Sequence, residues 1–331
     1  MALPFGGGVG SGGQHQKQTS RMKPITCILF LFGVIHLNAP DIPRLKTGLN
    51  ANWAFQKGEA PMPGAWQTVQ IPHSWNTTDP FDDEPGYYRG PAWYRKVLDW
   101  SALPQNERAF LYFEAANQHA EVWVNGRHAG SHKGGYTAFC FDITGLLNRQ
   151  SDTILVRLDN SHNPHIAPLK GDFNFYGGIY RDVWLIQTGD VHFGLTDHAA
   201  PGVFITTPNL SAEQGTVVIR GKLVNAGDQA AERRIRVLLH DAGGKTLGGA
   251  ERRLRIEPGK EDFQLNLRVD KPQLWSPDQP YLYTVRVQVF DAAGTAVADE
   301  VVQPLGLRWF AFDPDQGFFL NGKPLKLIGV N

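Results

Sequence analysis

"GDFNFYGGIYRDVWL", residues 171–185, combines features that neither a surface loop nor a core strand needs together. It opens with an acid, Asp172, and three ring side chains, Phe173, Phe175 and Tyr176. Two adjacent glycines follow, Gly177 and Gly178, then the triplet Tyr180-Arg181-Asp182 and an apolar run. A solvated loop gains nothing from the rings, and a buried strand is destabilised by unpaired charges.

The sequence on either side reads as strands. Between residues 45 and 188, "AWYRKVLDW", "RAFLYFEAA", "HAEVWVNGRHAG", "YTAFCFDIT", "DTILVRLDN" and "RDVWLI" each alternate apolar and polar residues with turn residues between them. Asn125-Gly126 is the strongest hairpin signal in the chain. This pattern predicts a jelly-roll β-sandwich. From 192 to 303 a second set, including "TVVIRGKLVNAG", "RRIRVLLHDAGG", "DFQLNLRVD" and "YLYTVRVQVFDAAG", gives about seven strands, the expected size of an immunoglobulin-like sandwich. Its arginine-rich runs "AERRIRV" and "ERRLRI" read as solvated faces and edge protection. Residues 304–331 form a third piece: "FFLNGKPLKL" is a hairpin, and "LKLIGVN" is an apolar strand of the kind covered on both faces in a parallel sheet. The expected fold class is therefore all-β.

Composition narrows the function. Of 331 residues, 32 are basic and 32 acidic, which offers no basic surplus for nucleic acid or anionic lipid. Nine tryptophans supply platforms suited to sugars as well as core packing. The two cysteines, Cys27 and Cys140, give no disulfide framework, because Cys27 lies in a segment expected to be removed. Residues 1–21 are glycine-rich and aperiodic and read as a disordered extension; their GxGxxG at Gly8, Gly10 and Gly13 has no strand before it and is a chance match. Residues 22–40 read as a signal peptide, with Lys23 ahead of an uncharged apolar run at 25–37 and Ala39 near the cleavage point. That run is too short to span a bilayer, so the chain is expected to be secreted or periplasmic, without a membrane span.

Several stretches in order, "IPHSWN" (71–76), "WYRKVL" (93–98), "FEAANQHAEVWVNGRHAGSHKGGYTAFCFDIT" (113–144), "GDFNFYGGIYRDVWLI" (171–186), "LWSPDQPYLYTVRV" (274–287) and "GFFLNGKPLKLIGVN" (317–331), together resemble the family 2 glycoside hydrolases, the group of β-galactosidases, β-glucuronidases and β-mannosidases. The resemblance implies a galactose-binding-like jelly roll, an immunoglobulin-like domain and then a (β/α)8 barrel, whose first strand "PLKLIGVN" would be. The chain stops where that barrel should begin. The resemblance implies that Gly177 and Gly178 permit a tight backbone path and that Arg181 and Asp182 fix the turn by charge-assisted contacts. It also implies that an acid at the position of Asp172 reaches toward the barrel, near a sugar hydroxyl and a sodium ion. An exposed aspartate capping a turn is the other reading of Asp172. Asn331, at the end of the barrel strand, would line the pocket or simply end the strand.

The activity so implied is hydrolysis of a terminal β-glycoside with retention, β-galactoside first, acting on a β-linked oligosaccharide or glycan. It needs no cofactor, although sodium or magnesium ions would accompany the full-length enzyme, and the sandwiches would support homo-oligomers. Retaining hydrolysis takes two carboxyl groups about 5 to 5.5 Å apart. In the family these are glutamates on later barrel strands, so no catalytic residue is assigned here and the chain alone is expected to be inactive. The acids of "DPFDDEP" (79–85) read as solvated turn residues, "HSWN" as packing within the sandwich, Trp123 as strand-face packing, and His128, His132, His162 and His165 as surface histidines rather than metal ligands. The competing reading is a carbohydrate-binding or adhesive two-domain protein without catalysis.

Overall fold

The computed structural model describes residues 43–64, 66–83, 85–103 and 106–329. The expected extension (1–21), the signal peptide (22–40) and Asn331 lie outside them. The described chain is all-β, with three short 3-10 turns and no α-helix.

The first ten strands are β1 (Leu45–Gly48), β2 (Trp53–Lys57), β3 (Gln67–Val69), β4 (Pro91–Asp99), β5 (Arg108–Phe113), β6 (His119–Val124), β7 (Arg127–Lys133), β8 (Phe139–Asp142), β9 (Ser151–Asp159) and β10 (Val183–Thr188). They make two antiparallel sheets, β1-β10-β5-β8 and β3-β2-β4-β9-β6-β7. Alternation does the sorting: in β9, Asp152, Ile154, Val156 and Leu158 are buried while the residues between them are not. The inward faces meet in one core containing Trp53, Tyr94, Leu98, Leu111, Phe113, Val122, Ile154 and Leu185. The β6–β7 turn is carried by Asn125 and Gly126 at φ 52° and 76°, the left-handed pair that a two-residue hairpin requires.

The second sandwich holds β11 (Val191–Phe193), β12 (Val203–Thr206), β13 (Gln214–Asn225), β14 (Ala231–His240), β15 (Thr246–Ile256), β16 (Gly259–Asp270), β17 (Tyr283–Phe290) and β18 (Val297–Leu305). β11 and β12 share one edge of β13, β16 takes the other, and the facing sheet is β15-β14-β17-β18. Counting β11 and β12 as one interrupted strand, this is a three-on-four immunoglobulin-like sandwich.

The two sandwiches are joined by buried chemistry that strand patterns do not reveal. Asp299 in β18 is fully buried and accepts two 2.8 Å bonds from Arg44, which precedes β1, and a 2.7 Å bond from the Phe193 amide in β11. Such a paired, fully hydrogen-bonded carboxylate tolerates burial, and it ties the start of one sandwich to both ends of the other. Beside it, Phe110, Cys140 and Ile186 on the outer face of the β1-β10-β5-β8 sheet pack against Leu195 and Ala199. Burial there pushes the Cys140 thiol up to about 12, which removes it as a nucleophile.

The last strands, β19 (Phe310–Asp313), β20 (Gly317–Leu320) and β21 (Lys323–Pro324), form a small meander. Asn321 holds it to the second sandwich, donating to the Trp275 carbonyl at 3.0 Å while accepting from the Trp309 amide at 3.1 Å. The apolar ribbon expected as a barrel strand joins no ladder over 325–329, and Leu327 and Ile328 are 64% and 84% exposed. A strand exists through its neighbours' hydrogen bonds, and here pairing ends where the Leu325 amide donates to the Phe318 carbonyl at 2.9 Å.

Asp152 organises the first sandwich's lower turns. Its buried carboxylate accepts from the Trp100 indole and the Asn125 amide group at 2.5 Å each and from the Asn148 and Arg149 backbone at 2.8 and 3.0 Å. Burial opposes its ionisation, but these four bonds outweigh burial and hold its pKa below the ordinary value. A lowered folded-state pKa contributes stability that is present above the unfolded pKa and lost as pH falls through the folded one. Asp152→Ala is expected to cost about 3 kcal/mol or more at pH 7, because four donors lose their acceptor. The difference from wild type should shrink in acid, as measured by urea unfolding at pH 7 and pH 3.

Candidate sugar-facing site

The site is built where β9 ends and the chain must return to β10 without strand partners. Two fully buried asparagines replace the missing ladder. Asn160 donates to the Phe175 carbonyl at 2.9 Å and accepts from the Gly90 amide at 2.8 Å. Asn76 accepts from the Gly177 amide at 2.7 Å and donates to the Tyr88 carbonyl and to Asp79, each at 2.9 Å. Asp79 also accepts from the Tyr88 amide at 2.9 Å, so this acid of "DPFDDEP" belongs to the buried network rather than to a solvated turn. The Asn117 side chain holds the Tyr176 carbonyl at 2.5 Å, and the Tyr87 hydroxyl holds the Phe175 amide at 2.8 Å.

Gly177 and Gly178 then run directly against residues 73–75. A Cβ on Gly177 would lie 1.9 Å from the Trp75 indole, and one on Gly178 would lie 2.2 Å from the His73 carbonyl oxygen. Gly178 also sits at φ 141°, which side chains disfavour. The contact is sealed by the His73 amide to the Ile179 carbonyl at 2.8 Å and by the Ser74 hydroxyl to the Gly177 carbonyl at 3.0 Å. Beneath it, Trp75 is buried and His73 bonds the Tyr94 hydroxyl at 2.7 Å; burial and nearby Lys57 lower the His73 pKa, which keeps the ring neutral. Past the glycines, Asp182 accepts from the Asn50 amide group at 3.0 Å, whose oxygen takes the Val183 amide at 3.0 Å. Arg181 is exposed and does not share in this tie; its guanidinium lies 5.7 Å from the Tyr180 ring centre.

What this frame presents outward is the first half of the loop. Phe173 and Tyr176 are 53% and 43% exposed, and Asp172 is exposed beside them. No hydrogen bond or ion pair among the described residues occupies the Asp172 carboxylate. An open carboxylate can accept sugar hydroxyls and the exposed rings beside it can stack on a pyranose face, while among the described residues no hydrogen bond joins Asp172 to the second carboxyl group that acid–base work requires. No cluster of three or more metal-ligating side chains occurs among the described residues. His132 bonds Thr137 at 3.1 Å and stacks on Phe139, His128 packs on Trp123, and His162 and His165 are exposed. Sequence reading missed Asn76, Asn117 and Asn160, because a buried asparagine substituting for a strand has no periodic signature.

The described chain is thus a jelly roll clamped to an immunoglobulin-like sandwich and presenting a framed, ring-bearing loop. The comparisons assign it further. Residues 46–189 match the model for the glycosyl hydrolases family 2 sugar binding domain, and residues 202–308 match that for glycosyl hydrolases family 2. The chain belongs to glycoside hydrolase family 2. It is 38% identical to a β-glucuronidase of Bacteroides fragilis over 94% of this chain and 44% of that protein. It is 32% identical to a β-galactosidase of Bacteroides ovatus over 87% of this chain and 34% of that protein. Among solved structures, Bacteroides uniformis β-glucuronidase 2, covalently bound to cyclophellitol-6-carboxylate aziridine, superposes with a TM-score of 0.80 at 38% identity, covering 87% of this chain and 35% of that one. The chain thus spans well under half the length of these relatives.

Gly178→Ala is expected to destabilise the chain by about 3 kcal/mol or more, since strain and a backbone clash coincide. Gly145→Ala, where a Cβ meets nothing within 4 Å, should be close to neutral. Thermal unfolding of the two variants checks the contrast.

Proposed function

We propose that this chain is the accessory part of a secreted, retaining exo-β-glycosidase that removes a terminal sugar from a β-linked glycan. The observation that carries the reading is the rigidly framed loop 171–182, which ends outward in an unpaired carboxylate and two exposed rings. A barrel docked at this end would receive from it a hydroxyl acceptor and an apolar edge, while the chemistry stays in the barrel. Asp172 is the acid we assign to a sugar hydroxyl or to a sodium ion, and Asn331 the pocket residue at the barrel strand's end. The family relatives support glycoside hydrolysis. The covalent complex of the Bacteroides uniformis enzyme supports a route through a covalent glycosyl intermediate, hence retention.

For the sugar, Asp172 favours β-galactoside, while the names of the relatives support β-glucuronide and β-galactoside equally. The chain alone is proposed to be inactive. A glycosidase acid must stay protonated near neutral pH, which takes a raised pKa. Among the described residues, every carboxyl group with a displaced pKa is displaced downward. Hydrogen bonds from Ser101, Lys222 and Thr295 do this to Asp99, Asp197 and Asp291, and at Asp152 and Asp159 hydrogen bonds outweigh burial. Export rests on Lys23 ahead of the apolar run at 25–37 and on Ala39. Among the described residues no helix is long and apolar enough to cross a membrane. Homo-oligomers through the sandwiches belong to the same proposal.

Aryl β-galactoside, β-glucuronide and β-mannoside incubated with the 331-residue chain are expected to show no turnover. A longer protein joining this chain to a barrel should release the β-anomer first, followed by proton NMR. Turnover by the chain itself, or inversion by the longer protein, overturns the respective part. For export, the secreted protein's N-terminus is expected near residue 40 by intact mass; an unprocessed Met1 or Met22 product confined to the cell contradicts it.

A further inference from the structure

We propose that the outer face of the β3-β2-β4-β9-β6-β7 sheet carries a second, non-catalytic glycan subsite selective for acidic, uronate-bearing chains. The site is a surface groove of about 400 Å³ lined by Pro61, Met62, Pro63, Trp66, Arg95 and Leu155, with Thr153 and Gly126 at its margin. Its size is that of a ligand cleft for one or two sugar rings. It lies on the outer sheet face, whereas Asp172 belongs to the loop that returns the chain from β9 to β10.

Three features indicate a built groove rather than a gap between side chains. First, its wall is held in place. The buried Gln56 side chain accepts from the Met62 amide at 3.0 Å and donates to the Met62 carbonyl at 3.5 Å. The Trp93 indole adds a 3.3 Å bond to the Glu59 carbonyl. Gly58 and Gly64, at φ 125° and 84°, bend the segment so that it stands over the sheet. Tethers of this kind hold Met62 and Glu59 in place without ligand, which lowers the entropic cost of binding.

Second, the groove carries apolar surface of the kind pyranose rings use. Met62 is 59% exposed, and Trp66 and Leu155 are half-buried facing the same space. The neighbouring Trp93 and Trp123 are stacked on each other at 5.8 Å, so Trp66 is the indole that faces the groove.

Third, the groove has one cation that lacks a carboxylate partner. Arg95 is exposed, and its guanidinium lies 4.5 Å from the Trp66 ring centre. No ion pair or hydrogen bond among the described residues engages it. Stacking leaves the in-plane N–H donors of a guanidinium free, the geometry that receives a carboxylate through two parallel bonds. The acids nearby are otherwise engaged: Glu59 and Glu121 lie 3.7 and 3.5 Å from Arg157, with Asp159 at 3.2 Å. A neutral sugar would leave the Arg95 charge unanswered, whereas a uronate answers it while its ring rests on Trp66.

The subsite does not depend on the hydrolytic reading, because binding is measured on the chain itself. Titration calorimetry compares a β-1,4-glucuronan tetramer with cellotetraose, which differ in the oxidation of C6. The glucuronan is expected to bind at least tenfold more tightly, and Arg95→Gln to abolish that preference. Trp66→Ala should weaken both ligands about tenfold, with the melting temperature of each variant confirming its fold. Equal affinity for the two tetramers, no binding by the wild type, or a preference that survives Arg95→Gln overturns the proposal.

Discussion

The contact of Gly177 and Gly178 with residues 73–75 is the constraint from which the rest of the candidate site follows. Two backbone segments more than a hundred residues apart approach so closely that a single methyl group on either glycine would enter the opposing chain. Because the approach is backbone on backbone, it is held by amides and carbonyls, and the side chains of Asn76 and Asn160 supply what a regular ladder would have supplied. Asp172, Phe173 and Tyr176 are therefore presented outward from a fixed base.

A second constraint fixes the two sandwiches to each other. Asp299 is buried, doubly bonded to Arg44 and capped by the Phe193 amide, so either residue without the other would leave an unanswered charge. With the apolar seam around Phe110, Cys140 and Leu195, this clamp makes the second sandwich a mount for the first. The relatives that the chain matches are more than twice as long as it is. Phe310 and Phe312 in the meander are 64% and 72% exposed, and Ile328 in the ribbon after it is 84% exposed.

Much of the fold was legible because strands write themselves in period two. The runs around Trp93, Val122, Val156 and Val287 gave their buried faces directly, and Asn125-Gly126 gave its turn. Asp79 was misread as solvated, since nothing local distinguishes a turn acid from one that accepts bonds from Asn76 and Tyr88. Arg181 was read as fixing the turn beside Asp182, but the tie is made by Asn50, whose partnership depends on a strand 132 residues away. The apolar ribbon after Pro324 was legible as strand-like in composition. Composition states a preference, and only a neighbour converts it into a ladder.

The sequence by itself determined the class of structure, two successive β-sandwiches and a final hairpin, because alternation, turn glycines and strand length are local properties of the chain. It also carried the resemblance to family 2, spread over motifs whose order survives without coordinates. Only the tertiary structure decided which polar residues are structural and which are free: Asn76, Asn160 and Asp299 are consumed by long-range hydrogen bonds, while Asp172 and Arg95 have no hydrogen-bond or ion-pair partner for their side chains among the described residues. Such pairing is a matter of proximity between residues distant in the chain, and proximity is set by packing, which no local pattern encodes.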